Sequence, residues 1–290
     1  MRERVFILGL GSIGQRHARN ALALGCEVIG YDVRPATPEL RAGLMPGVTL
    51  VDSLKAGLDK KPLGVIVATP PNVHMVCAGP VIDVRIPLLI EKPLSDALLT
   101  AEGIGAAAEA YRLPLAVGYQ FRHTASLRRL KAQTDAGEFG TIYAAHVEFA
   151  SQKWCSHTYP ADLLLECTHE LDIVRWFMGD PQSAAAHLGS RELASIILAF
   201  GASRAATVKL DGYAPGYRRR LMLYGTRGQG EWVHDQAEND QAYVDELAEF
   251  LRVCRGEQAA PSCTVRDGWW TLRMVEAIRK SGESGRWESI

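Results

Sequence analysis

Gly9-Leu10-Gly11-Ser12-Ile13-Gly14 sets three glycines in the G-x-G-x-x-G spacing, directly after one apolar run and at the head of a helix-prone one. That arrangement suits a dinucleotide pyrophosphate. The first two glycines permit a tight turn and close approach of main chain to phosphate. The third lets helix and strand pack closely, and the helix N-terminus supplies amide donors. Asp32 follows about 20 residues on, at the end of the second apolar run, where a carboxylate can bind the adenosine ribose hydroxyls. A carboxylate there repels a 2′-phosphate, so NAD is expected over NADP, with Arg34 keeping NADP open. A glycine-rich turn beside a surface Asp, and the S-adenosylmethionine variant of the same turn, are the competing readings.

Two more stretches sit where open α/β sheets bind ligands, at the carboxyl ends of parallel strands. One is Ala68-Thr69-Pro70-Pro71-Asn72-Val73-His74 and the other Glu91-Lys92-Pro93-Leu94. A lysine directly after a buried strand at that edge can reach a ligand; a solvated loop lysine is its alternative. Further on, Glu166, His169 and Asp172 recur at intervals of three and would share one side of a helix. A carboxylate beside an imidazole raises its pKa and holds one tautomer, which suits a base accepting a hydroxyl proton. Leu164, Leu171, Val174 and Met178 would face the core from the other side. Tyr119, Gln120 and Arg122, then Lys153, Trp154 and Tyr159, are candidates for lining a substrate pocket. Cys155 with His157 and Cys167 with His169 are metal-ligand types, but their spacing matches no standard zinc pattern, so no metal is expected.

The elements that must position these groups follow two grammars. Up to residue 118, short apolar runs alternate with amphipathic segments, the pattern of a parallel, doubly wound α/β sheet. The expected strands are Val5–Leu8, Glu27–Tyr31, Val48–Val51, Gly64–Ala68, Pro87–Ile90 and Leu115–Gly118. Helices are expected at Ile13–Leu24 and from an N-cap at Ser95 to Tyr111. After Tyr119 come a strand over Thr141–Ser151 and a helix from about Ala161 to Met178. Strand-like runs at 194–200, 205–210, 219–224 and 230–234 then suggest an antiparallel meander, and helices at 241–255 and 264–280 close the chain. The division expected is a dinucleotide-binding Rossmann domain over 1–119. An α+β domain with an open, mostly antiparallel sheet follows over 120–290.

Composition bounds the class. With 290 residues, 47% hydrophobic and 22% charged, the chain can bury a core without disulfide or metal staples. Lys plus Arg is 32 against 33 Asp plus Glu, which argues against a nucleic-acid partner. No apolar run approaches the roughly 20 residues of a membrane span. Six cysteines without a Cys-x-x-Cys pair fit free thiols in a reducing cytoplasm.

Taken in order, the glycine turn, Ala68-Thr69-Pro70-Pro71 with His74, Glu91-Lys92-Pro93, Val117 to Arg122, and Leu164 to Asp172 resemble the glucose–fructose oxidoreductase/inositol dehydrogenase (Gfo/Idh/MocA) family along nearly the whole chain. The resemblance implies hydride transfer between NAD(P) and a secondary alcohol of a sugar, cyclitol or sugar nucleotide. It places Lys92 beside nicotinamide and substrate and makes His169 the catalytic acid/base. It implies cofactor contacts from Gly9, Gly11, Ser12, Ile13, Gly14, Asp32, Ala68, Thr69, Pro70, His74, Glu91 and Lys92. Pairing through the exposed face of the second sheet, as a homodimer or homotetramer, is also implied. Many relatives carry an Asp four residues before the histidine, where this chain has Leu165, so Glu166 and Asp172 both stand as partners of His169. An NAD-dependent glycosidase and a non-catalytic NAD-binding regulator on the same scaffold are the alternatives.

Overall fold

The computed structural model describes residues 2–34, 46–152, 162–190 and 192–290. In chain order it has β1 (Arg4–Leu8), α1 (Ser12–Ala23), β2 (Glu27–Tyr31), β3 (Val48–Leu50), α2 (Leu54–Leu58), β4 (Gly64–Val67), α3 (His74–Asp83), β5 (Leu88–Glu91), α4 (Leu98–Ala110) and β6 (Leu115–Gly118). There follow α5 (Ala125–Asp135), β7 (Ile142–Ser151), α6 (Leu163–Glu166), α7 (Thr168–Met178), β8 (Ser183–Ser190), β9 (Leu193–Ala199), β10 (Ala205–Asp211), β11 (Tyr217–Gly225) and β12 (Gly228–Val233). The chain ends with α8 (Gln236–Cys254), α9 (Val265–Ser284) and β13 (Glu288–Ser289).

Two compact units result. The first takes Met1–Tyr119 and Tyr243–Trp269, the second Gln120–Ala242 and Trp270–Ile290. The first unit thus takes in residues 243–269 from the stretch over 120–290. Half of α8 returns to the first unit, where Leu247, Phe250 and Leu251 join a core with Val5, Ile7, Val28 and Leu89. A hydrophobic helix face shows that a helix is buried, and not against which layer.

In the first unit six parallel strands run in the order β3-β2-β1-β4-β5-β6. β1 lies inside the sheet with Val5, Phe6 and Ile7 sealed from solvent, which its unbroken apolar run requires. The order reverses between β1 and β4, so the turn leaving β1 opens at the switch point where such sheets take ligands. The outer edge of β6 is covered: Val117 donates its amide to the Cys263 carbonyl at 3.2 Å, and Ala116 bridges Thr264.

The second unit carries a seven-stranded sheet, β12-β11-β7-β10-β9-β8-β13. Only β7 and β10 pair in parallel. The expected meander is therefore corrected: β10 and β11 are consecutive in sequence but β7 lies between them. Alternating apolar residues fix which face of a strand is buried, and not which strand it pairs with. Ser95 is corrected too. α4 begins at Leu98 with Ala97 as its cap residue, and the Ser95 hydroxyl instead accepts from the Ala97 amide at 3.4 Å.

Candidate active site

β1 ends in a turn that only glycine can build. Gly9 has φ +87°, the left-handed region where a side chain is strained, and a Cβ on it would press on the Ala68 carbonyl. A Cβ on Gly14 would collide with the Gly9 carbonyl oxygen, so this glycine sets how closely α1 approaches β1. At Gly11 the position of a Cβ is open space. Gly11 is also the N-cap of α1, without a side-chain cap and with no acidic residue in the first turn. The first amides of α1 and its positive dipole end are thus left to an anion. Gly11 and Ser12 are exposed and Ile13 half-buried, as a surface that meets a cofactor requires.

Asp32, just past β2, fits the same ligand. Its carboxylate accepts from the Leu10 amide at 2.7 Å, from the Arg34 amide at 3.0 Å, and from Arg34 Nε and Nη2 at 2.7 Å each. Burial works to raise its pKa, but the Arg34 side chain and the two amides outweigh it and hold the carboxyl down at about 2. Asp32 is charged at any working pH, and Arg34 is turned onto it. These residues fit NAD: an uncapped helix start for the pyrophosphate and an ionised acid at the end of the second strand for the ribose.

On the neighbouring strand ends, Ala68 and Thr69 are half-buried and Pro70 is exposed. His74 and Glu91, expected to touch the cofactor, are both buried. The His74 ring lies 2.8 Å from the Thr69 carbonyl and 3.1 Å from that of Leu94, tying the two loops together. Burial pushes its pKa down, against the pull of those carbonyls. Glu91 turns inward, with Oε1 2.7 Å from His17 Nε2 and Oε2 3.2 Å from the Lys92 amide. The room for it comes from Gly118, where a Cβ would stand 3.0 Å from Oε2. Lys92 is half-buried and its bond to Pro93 is cis.

In the second unit His169 lies in the first turn of α7, 4% exposed, with its ring centroid 4.6 Å from that of Phe121. The continuous helix expected from about Ala161 is broken. α6 stops at Glu166, and Cys167, at φ −95° and ψ 27°, caps it before α7 starts at Thr168. Glu166 and His169 therefore stand on two successive short helices, on either side of Cys167. Asp172 does share a face with His169, yet its carboxylate carries the Arg122 guanidinium, with Nε donating at 2.9 Å and Nη2 at 2.5 Å. Arg122, expected at the substrate, is buried and paired with Asp172, with the Trp176 ring 5.6 Å from its guanidinium carbon.

A second buried pair was missed in the sequence. Arg219 Nε donates to Glu170 Oε1 at 2.6 Å, and its guanidinium stacks at 4.7 Å over Phe121 and 4.5 Å over Phe149. α7 is therefore fixed by two buried ion pairs, through Glu170 and Asp172, both just after His169 in sequence. His234, also missed, packs its ring 5.5 Å from Phe121, and burial followed by the Arg219 charge lowers its pKa. Tyr119 and Gln120 are fully or nearly buried, and the Gln120 amide donates to Asn239 at 3.2 Å. Lys153, Trp154, Cys155, His157 and Tyr159 lie outside the described residues.

Residues 3–119 match the family model described as "Oxidoreductase family, NAD-binding Rossmann fold", and residues 127–231 the "GFO/IDH/MocA C-terminal domain". The chain is 27% identical to the myo-inositol dehydrogenase Hyg17 of Streptomyces leeuwenhoekii, covering 97% of this chain and 98% of that one. It is 26% identical to the rhizopine catabolism protein MocA of Rhizobium meliloti, over 95% and 94%. Among solved structures, scyllo-inositol dehydrogenase from Lactobacillus casei with bound NAD(H) and scyllo-inositol superposes with a TM-score of 0.87 at 18% identity, covering 100% of this chain and 99% of that one. The matched domains cover both units, and the chain belongs to the GFO/IDH/MocA family of NAD(P)-dependent oxidoreductases.

Proposed function

We propose that this chain is an NAD-dependent dehydrogenase that oxidises a secondary alcohol of a cyclitol or a closely related polyol. The observation that carries the reading is the pairing of an uncapped, open helix start at Gly11 with an Asp32 held charged by its own surroundings. The inositol and rhizopine names of the two end-to-end relatives favour a ring polyol as the substrate class.

When bound, NAD supplies the hydride acceptor. Its pyrophosphate is held by the first amides of α1 and its adenosine ribose by Asp32. The rest falls to side chains. The Lys92 ammonium binds the alcohol oxygen and stabilises the negative charge that develops there. His169 takes the hydroxyl proton as the carbinol hydride leaves, and returns it when the reaction runs toward alcohol. The Arg122–Asp172 and Arg219–Glu170 pairs hold α7, and His169 with it, in one orientation. NAD is preferred over NADP because Arg34 is turned onto Asp32 and a 2′-phosphate would meet that carboxylate. A homodimer or homotetramer belongs to this reading, and sedimentation of the purified protein tests it.

The test is a screen of inositol isomers, sugars and sugar nucleotides with NAD and with NADP, read as absorbance of the reduced cofactor. Turnover of at least one cyclitol with NAD is expected. Release of a sugar without net reduction, or NAD binding without turnover of any substrate, would replace this reading with a glycosidase or a regulator.

A further inference from the structure

Below the cofactor-facing edge of the first unit lies a cluster that the proposed mechanism does not use. His17 on α1, Glu91 at the end of β5 and Glu246 on α8 place one side-chain N or O atom each within 4.8 Å of one another. All three are buried, at 0%, 7% and 4% exposure. Glu91 has its donors, the His17 ring and the Lys92 amide. Glu246 has none: both its carboxyl oxygens are buried and lack a hydrogen-bond partner among the described residues.

Two buried carboxylates this close cannot both stay charged unless a cation or a proton lies with them. A metal ion does not suit the geometry. Ligand atoms sharing a zinc ion stand roughly 3.3 Å apart, given bonds of about 2.0–2.2 Å in a tetrahedron. His17 Nε2 and Glu91 Oε1 are 2.7 Å apart, a hydrogen bond with a proton between them. Glu91 accepts at both of its oxygens, as a carboxylate does, and a second proton on His17 would leave a buried Nδ1–H without a partner, so the neutralising proton is placed on Glu246, the acid without donors. Of the charged and polar groups around them, Glu249 on α8 adds a like charge, and Arg16 on α1 is turned over the Tyr243 ring at 4.6 Å. His74 on α3 faces Glu91 but is itself buried and pushed toward its neutral form. No cation is thus supplied to Glu246 by these neighbours.

We infer that His17, Glu91 and Glu246 form a positioning cluster for Lys92, in which Glu246 is a neutral carboxylic acid and Glu91 is the carboxylate. His17 donates from Nε2 to Glu91, and Glu91 holds the Lys92 main chain through its amide. A neutral Glu246 fills the third side of the site without adding a second charge that would push Glu91 away from the Lys92 amide. Burial, then the Glu91 and Glu249 charges, raise the Glu246 carboxyl well above the usual carboxylate range, which agrees with the donor count. The inference rests on the reading of Lys92 as the group that binds the alcohol oxygen, and adds the residues that set its position.

Infrared difference spectra of the whole protein at neutral pH test the protonation. Wild type is expected to show the carbonyl band of a buried carboxylic acid that Glu246→Gln removes and Glu246→Asp shifts. Absence of the band, or its survival in Glu246→Gln, overturns the assignment, as does one tightly held divalent ion per chain. The Lys92 amide resonance should move in Glu91→Gln, and an unmoved resonance overturns the positioning role. In turnover, Glu91→Gln should lower kcat about tenfold or more while KM and NAD affinity stay within about threefold. Glu246→Leu should also lower kcat, and Glu246→Gln should recover most of the loss. Should wild type oxidise no polyol, the reading of Lys92 falls while the band and the amide resonance still judge the cluster. Should wild type be active and Glu91→Gln equally fast, the cluster's role falls and the reading of Lys92 stands.

Discussion

Asp32 does two things with one carboxylate: it closes the glycine turn through the Leu10 amide and it presents charge to the ribose. Asp32→Ala should therefore weaken NAD by about tenfold or more, some 1.4 kcal/mol, and narrow the gap to NADP, both measured by titration calorimetry. An unchanged NAD affinity would mean that the carboxylate serves the turn alone. Its folded pKa of about 2 lies below the ordinary 3.8, so its contribution to stability is complete above 3.8 and is lost as pH falls toward 2. Acid unfolding of Asp32→Asn should lack that component. For the reacting groups, Lys92→Ala should cut turnover by about two orders of magnitude or more while NAD affinity holds within a few-fold. His169→Asn should remove the low-pH limb of the oxidation rate with most of the activity, whereas a limb that persists there and vanishes in His234→Asn would move the base to His234. The glycine turn and Asp32 could be picked out because they stand close together in sequence. Their supports could not. His17 meets Glu91 across 74 residues, Arg122 meets Asp172 across 50 and Arg219 meets Glu170 across 49, distances that only the folded chain closes.

α7 shows how an element can be right in place and wrong in detail. Its core face, with Leu171, Val174 and Met178 buried, is where periodicity puts it. The break at Cys167 left no glycine or proline to announce it, and it puts Glu166 and His169 on separate short helices. The helix instead carries Glu170 and Asp172 inward, each to a buried arginine. Such pairs are costly to break from one side because the remaining charge stays buried, about 3–5 kcal/mol. Glu170→Ala should lower the stability of the protein by that order in urea unfolding. The double variant Glu170→Leu with Arg219→Met should recover most of it, since neither charge is then stranded. A loss of less than about 1 kcal/mol in Glu170→Ala, the range of exposed pairs, would mean that the pair does not anchor α7. The same reasoning separates anchoring from catalysis: the double variant regains stability, while activity returns only if His169 also regains its orientation.

At the scale of the whole molecule the chain does not run from one unit into the other and stop. It leaves the first unit at Tyr119, builds the second, and comes back at Tyr243. What returns is part of the first core. Leu247, Phe250 and Leu251 are 0–2% exposed. Burying side chains of this kind contributes about 1.5–3 kcal/mol each, against the ~5–15 kcal/mol net stability of a domain. The segment also supplies Glu246 and the Cys263–Thr264 stretch that covers the edge of β6. A fragment ending at residue 119 retains the glycine turn, Asp32 and Lys92 but exposes this apolar face and an unpaired strand edge. It should aggregate, or melt without a cooperative transition, and bind NAD at least tenfold more weakly than the full chain, a difference of about 1.4 kcal/mol. Joining residues 243–269 to it through a flexible Gly/Ser linker should restore a cooperative melt and NAD binding, because the entropy of closing a longer loop rises only slowly with its length. Calorimetric melting of the two polypeptides decides the matter. If the shorter one melts cooperatively and binds NAD as the full chain does, the returning segment is a cover on a finished domain, and residues 1–119 fold alone.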